Sequence, residues 1–170
     1  MSLATYTWLI LAFPLAGTII VSLLWNRLPP RAVGAIASSA ILLAFACAVA
    51  ATLKLQDRPE ETRQVTTSLW DYASTAGVNV QLEIFVDPLS MFMCLVVSGV
   101  SFLIHVYSTA YLKSDHGYSR YFAYLNFFVF SMLLLVLAGN FVILIVGWAF
   151  VGFASYALVS FWYRRATAVR

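Results

Sequence analysis

The sequence predicts an all-α membrane protein with about five transmembrane helices and a small external β-hairpin between helices 2 and 3. Hydrophobic residues make up 62% of the 170 residues and charged residues only 10%, whereas about a quarter of the residues in a soluble domain are charged. The apolar residues fall into five runs, each long enough to cross about 30 Å of hydrocarbon. The single long polar segment contains a stretch in which apolar and polar residues alternate, which is typical of a strand.

The five apolar runs predict five spans within a single membrane domain, residues 1–170. The second span is rich in Ala, Gly and Ser, which let helices approach closely, so we expect it to pack against other helices. Only Ala138-Gly139-Asn140 separates the last two spans, which therefore form a predicted transmembrane hairpin. The predicted spans are residues 3–25, 32–53, 88–112, 118–137 and 140–163.

The predicted external hairpin occupies residues 54–87, the only long polar segment. Within residues 78–84, Val, Val, Leu and Ile alternate with Asn, Gln and Glu. The predicted strands are residues 65–70 and 78–84, with a turn at 73–77. A two-stranded hairpin is marginally stable by itself in water, so we expect it to pack against a neighbouring element.

The basic residues predict the orientation of the chain. One set of loops and ends contains Arg27, Arg31, Lys113, Arg120, Arg164, Arg165 and Arg170. The other set mixes basic and acidic residues, namely Lys54, Arg58, Arg63, Asp57, Glu60, Glu61, Asp71, Glu83 and Asp87. Basic loops stay in the cytoplasm. The N-terminus and the hairpin are therefore predicted to lie outside, and the C-terminus to lie in the cytoplasm.

The third span carries a polar stripe, because polar residues recur there at intervals of three or four. The stripe consists of Asp87, Ser90, Cys94, Ser98, Ser101, His105 and Ser108. Such spacing places them on one face of a helix, which must face protein or water rather than lipid. For the serines, hydrogen bonds between helices are the favoured interpretation.

His105 is the only ionisable residue well inside any span. Intramembrane ionisable groups are rare, and an imidazole exchanges its proton near neutral pH, so His105 is a candidate proton-relay residue. The alternative is a neutral histidine that forms a hydrogen bond to a neighbouring helix. The sequence pattern alone leaves both interpretations open.

The fifth span contains many small residues but no carboxylate, and close helix packing is the favoured interpretation. Elsewhere, Cys47 and Cys94 lie in apolar runs without metal-site spacing, so we expect packing roles. The sequence contains no catalytic motif of a soluble enzyme and no metal or nucleotide signature. Its aromatic residues are spread through the spans, which argues against binding of nucleic acid.

Five sequence segments together resemble subunit L of bacterial complex I, the proton-pumping NADH-quinone oxidoreductase, and its similar chloroplast counterpart. These segments are VDPLSMFM at 86–93, FLIHVYSTAYL at 102–112, GYSRYFAYLNFF at 117–128, LAGN at 137–140 and GWAFVGFASYALVSFWY at 147–163. The histidine in FLIHVYS favours this branch over the related sodium/proton antiporters. His105 matches a histidine of the family's third helix.

The resemblance implies an antiporter-like subunit in the membrane arm, which helps to couple quinone reduction to proton transport. It implies the bacterial cytoplasmic membrane, with other membrane-arm subunits and the lipid bilayer as partners. NADH, FMN, iron-sulfur clusters and quinone would be bound by other subunits and not by this chain. A related cation/proton antiporter, membrane hydrogenase or bicarbonate-uptake complex remains an alternative.

The sequence departs from the family at Gly147-Trp148-Ala149. The family has Gly-Trp-Glu there, and its glutamate is a central ionisable residue of the proton path, whereas alanine cannot hold a proton. The resemblance also covers only the first part of the family's usual length. It therefore implies a second chain that supplies the later helices, a fragment, or a structural or assembly segment without its own proton path.

Overall fold

The computed structural model describes residues 2–25, 27–75, 78–113, 115 and 117–162, and the side chains of all of these except 69–81. Its helices are α1 (Leu3–Leu23), α2 (Pro30–Gln56), α3 (Pro88–Tyr111), α4 (Tyr118–Val136) and α5 (Phe141–Val159). Two strands, β1 (Val65–Thr75) and β2 (Val78–Val86), lie between α2 and α3. Within the described residues, five helices are long and apolar enough to cross a membrane, which agrees with the predicted fold class.

Polar residues mark the starts of three helices. The Ser2 hydroxyl accepts a hydrogen bond from the Thr5 N–H at the start of α1. Asp87 and Ser90 form a reciprocal capping box on α3, with Pro88 in the first turn, where its missing N–H costs nothing. The Asn140 side chain caps α5, so the break between the last two spans falls where the sequence predicts it.

Helix α2 is longer than predicted, because it begins at Pro30 and ends at Gln56. Proline is well tolerated in the first helical turn. At the other end, Lys54 extends toward the Tyr6 ring, with its ammonium nitrogen 5.4 Å from the ring centroid. A long amphipathic side chain can remain at the end of a transmembrane helix in this way, so the charge of Lys54 does not end the helix.

The hairpin is antiparallel, as predicted, but β1 runs through Thr75, so the prediction of a turn from residue 73 is wrong. Two register shifts in β1, after Ser68 and after Asp71, keep the strands paired as far as Thr75 and Val78. Bulges of this kind let pairing continue where a simple alternation pattern ends. The remaining residues of the predicted turn, 76 and 77, lie outside the described part of the chain.

The hairpin packs against the loop between α4 and α5, which confirms the prediction that it packs against a neighbouring element. The Phe85 N–H donates to the Leu137 carbonyl oxygen at 2.9 Å, and the Gly139 N–H donates to the Glu83 carbonyl oxygen at 2.9 Å. A Cβ atom at Gly139 would lie 2.8 Å from that same Glu83 oxygen, so only glycine fits here. The hairpin is thereby fixed to the end of the α4–α5 pair.

Helix α2 lies at the centre of the bundle and packs against α1, α3 and α4. Its buried face carries alanines three or four residues apart: Ala37, Ala40, Ala44, Ala48 and Ala51. This confirms α2 as a packing helix. Helix α5, in contrast, packs mainly against α4, so most of its surface faces away from the described bundle.

Candidate functional site

The polar stripe of α3 faces the interior of the bundle, as its spacing predicts. The buried residues of α3 are Ser90, Met91, Cys94, Ser98, His105 and Ser108. Ser101 and Asp87 are half-buried on the same face. The opposite face is apolar and exposed, for example at Leu103 and Tyr107, so the helix separates a polar inner side from a lipid-compatible outer side.

His105 is fully buried and both of its ring nitrogens form hydrogen bonds. Its Nδ1 lies 2.7 Å from the Ser101 carbonyl oxygen, which can only accept, so Nδ1 carries the proton. Its Nε2 lies 3.3 Å from Nδ2 of Asn126 on α4, whose amide group donates. The hydrogen-bond pattern is therefore that of a neutral imidazole. We call these two residues the His–Asn pair.

Asn126 is also fully buried, and its amide nitrogen is hydrogen-bonded whereas its amide oxygen is not. Its Nδ2 donates a second hydrogen bond to the Phe122 carbonyl oxygen at 3.0 Å. Its Oδ1 is buried and has no hydrogen-bond partner among the described residues. Oδ1 lies against Gly17 of α1, where an added Cβ would be 2.7 Å from Oδ1 and 2.9 Å from the Ala40 Cβ. Helices α1 to α4 therefore meet at this amide.

Binding of a proton at Nε2 of His105 would require a different position of the Asn126 amide. Protonation of Nε2 turns it from an acceptor into a donor, which the Asn126 NH₂ group cannot accept. If the amide rotated by half a turn, Oδ1 could accept a hydrogen bond from Nε2–H. The oxygen would then have the partner that it now lacks. The same rotation would break the Nδ2 bond to Phe122, so each protonation state has its own amide position.

The serines of the stripe have different roles. Ser108 lies 3.3 Å, oxygen to oxygen, from the Tyr121 hydroxyl of α4, which confirms a hydrogen bond between helices at that position. The same prediction is wrong for Ser98, whose hydroxyl donates to the Cys94 carbonyl oxygen of its own helix at 2.6 Å. A serine can meet its hydrogen-bonding need in this way without a neighbour. Ser101 contributes its carbonyl oxygen to His105.

Two other predicted residues lie apart from the pair. Asp87 caps α3, where its Oδ1 accepts from the Ser90 N–H at 2.7 Å. It is separated from His105 by about 27 Å along the helix, at about 1.5 Å per residue. Ala149 lies on the exposed side of α5, next to Trp148, which is 70% exposed. The described structure brings neither residue to His105.

The small residues of α5 pack closely on only one side. Gly147 packs against the Leu135 backbone of α4, since an added Cβ would be 3.0 Å from it, and Ala154 and Ala157 are buried. At Gly152 an added Cβ would meet no described atom within 4 Å, so no described residue packs closely against this glycine. The reason is that α5 has α4 as its main neighbour.

Asn126 and Gly17 are the site residues that sequence reasoning missed. Asn126 is an amide in the middle of an apolar span, where a polar group needs a partner, and this signal was available. Gly17 carried no such signal, because its role depends on how α1 crosses α4. Among the described residues, no group of three or more His, Cys, Asp or Glu side chains could hold a metal ion.

Comparisons of the sequence with known proteins find similar proteins that share one kind of name. The family profile described as NADH-Ubiquinone oxidoreductase (complex I), chain 5 N-terminus, matches residues 70–122. NADH-quinone oxidoreductase subunit L of Mycobacterium tuberculosis (strain ATCC 25618 / H37Rv) is 40% identical over 164 residues, which are 96% of this chain and 26% of that protein. Subunit L of Escherichia coli (strain K12) is 45% identical over 95 residues, 56% of this chain and 16% of that protein.

A relative with a different name is similar as well. NADH-ubiquinone oxidoreductase chain 5 of Allomyces macrogynus is 38% identical over 104 residues, 61% of this chain and 16% of that protein. The chain spans about a quarter of the length of the curated relatives that it matches over most of its own length.

Proposed function

Because this chain belongs to the subunit L family of NADH-quinone oxidoreductases, over the N-terminal part of their length, we propose that it works in the membrane arm of a proton-translocating NADH-quinone oxidoreductase. There it helps to couple quinone reduction to proton transport. Other subunits bind NADH, FMN, iron-sulfur clusters and quinone, and further membrane-arm helices pack against it. The profile match and the shared segments support this proposal.

The observation that carries the proposal is the buried His–Asn pair inside the helix bundle. His105 is a proton-relay residue that receives a proton at Nε2 while the Asn126 amide rotates to offer Oδ1. An ionisable residue within the membrane is costly to bury, and such residues mark ion pathways. His105 is six residues from the end of α3 at Tyr111, about 9 Å along the helix.

The basic loops support the proposed orientation in a bacterial cytoplasmic membrane. The ends of α1 and α3 and the starts of α2 and α4 lie on one side and carry Arg27, Arg31, Lys113 and Arg120. The positive-inside rule places this side in the cytoplasm, with the N-terminus and the β-hairpin outside. His105 is then in the cytoplasmic half of the membrane.

The test is His105→Gln in the intact complex. Glutamine can still donate and accept hydrogen bonds but cannot carry a proton at Nε2. We expect assembly and NADH oxidation to persist, while the number of protons pumped per NADH, measured in inverted membrane vesicles, falls. Ser98→Ala is the matched control, since Ser98 is buried on the same face but bonded within its helix. Normal pumping in His105→Gln would remove His105 from the proton path.

A structural or assembly segment is the second candidate function, and the exposed Ala149 favours it. Ala149 takes the place of the family's glutamate and is exposed on the outer side of α5. Ala149→Glu separates the two candidates. If the position lies on a proton path, the variant changes the number of protons pumped. If the chain is structural, pumping is unchanged and the complex is less stable, because an unpaired charge within a membrane helix is unfavourable.

A further inference from the structure

A cleft opens between the start of α2 and the end of α3, on the side of the bundle that carries most of the basic residues. Its volume is about 370 Å³. Its lining includes Arg31, Gly34, Ser38, Val106, Lys113 and Tyr118. The cleft is separate from the His–Asn pair, and neither His105 nor Asn126 lines it.

The mouth of the cleft is cationic. Arg31 and Lys113 both line it and are exposed, and neither forms an ion pair with a described residue. No described carboxylate lines the cleft. The start of α2 adds to this field, because no side chain caps its first N–H groups, and a helix N-terminus attracts anions. The charges therefore favour an anionic occupant.

The floor of the cleft carries polar groups that lack partners. Tyr118 as a whole residue is only 5% exposed, and its hydroxyl forms no hydrogen bond with any described residue. That hydroxyl lies against Gly34, where even a Cβ atom would collide with it. The Ser38 hydroxyl, which also lines the cleft, is buried without a described partner. Buried polar groups are normally hydrogen-bonded, so the unsatisfied Ser38 hydroxyl in this cleft indicates a missing ligand.

The sides of the cleft are apolar and continue along the membrane-facing surface. Ala35 and Val106 form part of its lining. Deeper along the same two helices, Leu42 and Leu103 are exposed at 44% and 66%. A ligand seated here would have its charged group at the end of the membrane spans and its apolar part alongside the helices.

We propose that this cleft binds an anionic phospholipid, with its phosphate between Arg31 and Lys113, its headgroup oxygens on Tyr118 and Ser38, and an acyl chain along Leu42 and Leu103. Basic pockets between transmembrane helices on the cytoplasmic side suit such headgroups. The continuous apolar surface favours a lipid over free phosphate. This proposal does not depend on proton transport by the chain.

The test uses the purified intact protein in phosphatidylcholine nanodiscs that contain a minor fraction of phosphatidylglycerol. Retained phosphatidylglycerol is measured by native mass spectrometry for the wild type, Arg31→Gln, Lys113→Gln and Arg27→Gln. One cation near an anionic headgroup is worth about 1 kcal/mol, or about fivefold in affinity. We expect each cleft variant to lose about that factor and Arg27→Gln, on the same side but outside the cleft, to lose much less.

A second variant, Tyr118→Phe, keeps the packed ring and removes only the hydroxyl. We expect it to retain less phosphatidylglycerol than the wild type, with an unchanged melting temperature in phosphatidylcholine alone. Equal losses in all three charge variants would show a general surface-charge effect and overturn the proposal. Absence of retained phosphatidylglycerol in the wild type would also overturn it. Displacement of the lipid by excess inorganic phosphate would assign the cleft to the free anion instead.

Discussion

The inner face of α3 and the outer face of α5 both carry small or polar residues at helical spacing, yet they have different surroundings. On α3, His105 is fully buried and is bonded to a residue of another helix. On α5, Ala149 and Gly152 are exposed, and an added Cβ at Gly152 would meet nothing within 4 Å. Spacing alone therefore does not determine which helix faces are packed.

The number of neighbouring helices explains the difference. Helix α3 packs against α2 and α4, so its polar stripe finds partners, and the buried glycine of α1 brings a third helix close to the same point. Helix α5 has α4 as its main neighbour, so only one side of it can be buried. The exposed face of α5 is the surface on which further membrane-arm helices would pack under the proposed function.

Gly17→Val should have the largest effect of the substitutions that compare these faces. Even a Cβ at Gly17 would be 2.7 Å from Asn126 Oδ1 and 2.9 Å from the Ala40 Cβ. Overpacking in a dense core costs about 1–3 kcal/mol, and valine should reach the upper end of that range. The free energy of unfolding in mixed micelles, measured by denaturing-detergent titration, should fall by about that amount.

Gly152→Val is the matched control, because it adds the same atoms to a glycine on the exposed side of α5. Its unfolding free energy should change by less than about 0.5 kcal/mol, as is usual for exposed positions. Similar losses in both variants would mean that the two faces are packed alike, which contradicts the comparison.

Asn126→Ala should have an intermediate effect. It leaves Nε2 of His105 without its only described donor inside the bundle, and an unsatisfied buried group costs about 1–3 kcal/mol. The substitution also removes the unpaired Oδ1, so we expect a loss of about 1–2 kcal/mol in the same unfolding titration. Ser155→Ala, at an exposed polar position of α5, should change little.

A double-mutant cycle of His105→Ala with Asn126→Ala isolates the pair. Hydrogen bonds between membrane helices contribute about 0.6 kcal/mol on average, and up to about 1.7 kcal/mol. We expect the coupling energy of the pair to fall between these values. Strictly additive losses would show that the two side chains do not interact.

The sequence predicts most of the fold, because membrane spans depend on composition and length. The five spans, the cap at Asp87 and the break before α5 follow from hydrophobicity and from local backbone chemistry. The end of β1 was missed because bulges extend the strand beyond the regular alternation. The division into a single domain and the membrane orientation stay predictions.

The site was predicted only in part. His105 was found because an ionisable residue stands out in an apolar span. Its partner was not, because which residue of α4 faces His105 depends on the rotation and crossing of two helices, which the spacing within α3 does not determine. Ser98 shows the same limit, since a serine that bonds to its own helix has the same spacing as one that bonds to a neighbour.

Tyr121→Phe should have the smallest measurable effect, and it tests whether the α3 stripe is bonded to α4 beyond the His–Asn pair. The substitution removes the hydroxyl that lies 3.3 Å from Ser108 but keeps the ring contacts with Phe122 and Phe161. We expect a loss of about 0.6 kcal/mol in the unfolding titration, the average for such bonds. Ser98→Ala should lose less, because its hydroxyl serves only its own helix. A larger loss of unfolding free energy in Ser98→Ala than in Tyr121→Phe would contradict this. It would mean that hydrogen bonds within α3, rather than the Ser108–Tyr121 bond to α4, stabilise the stripe.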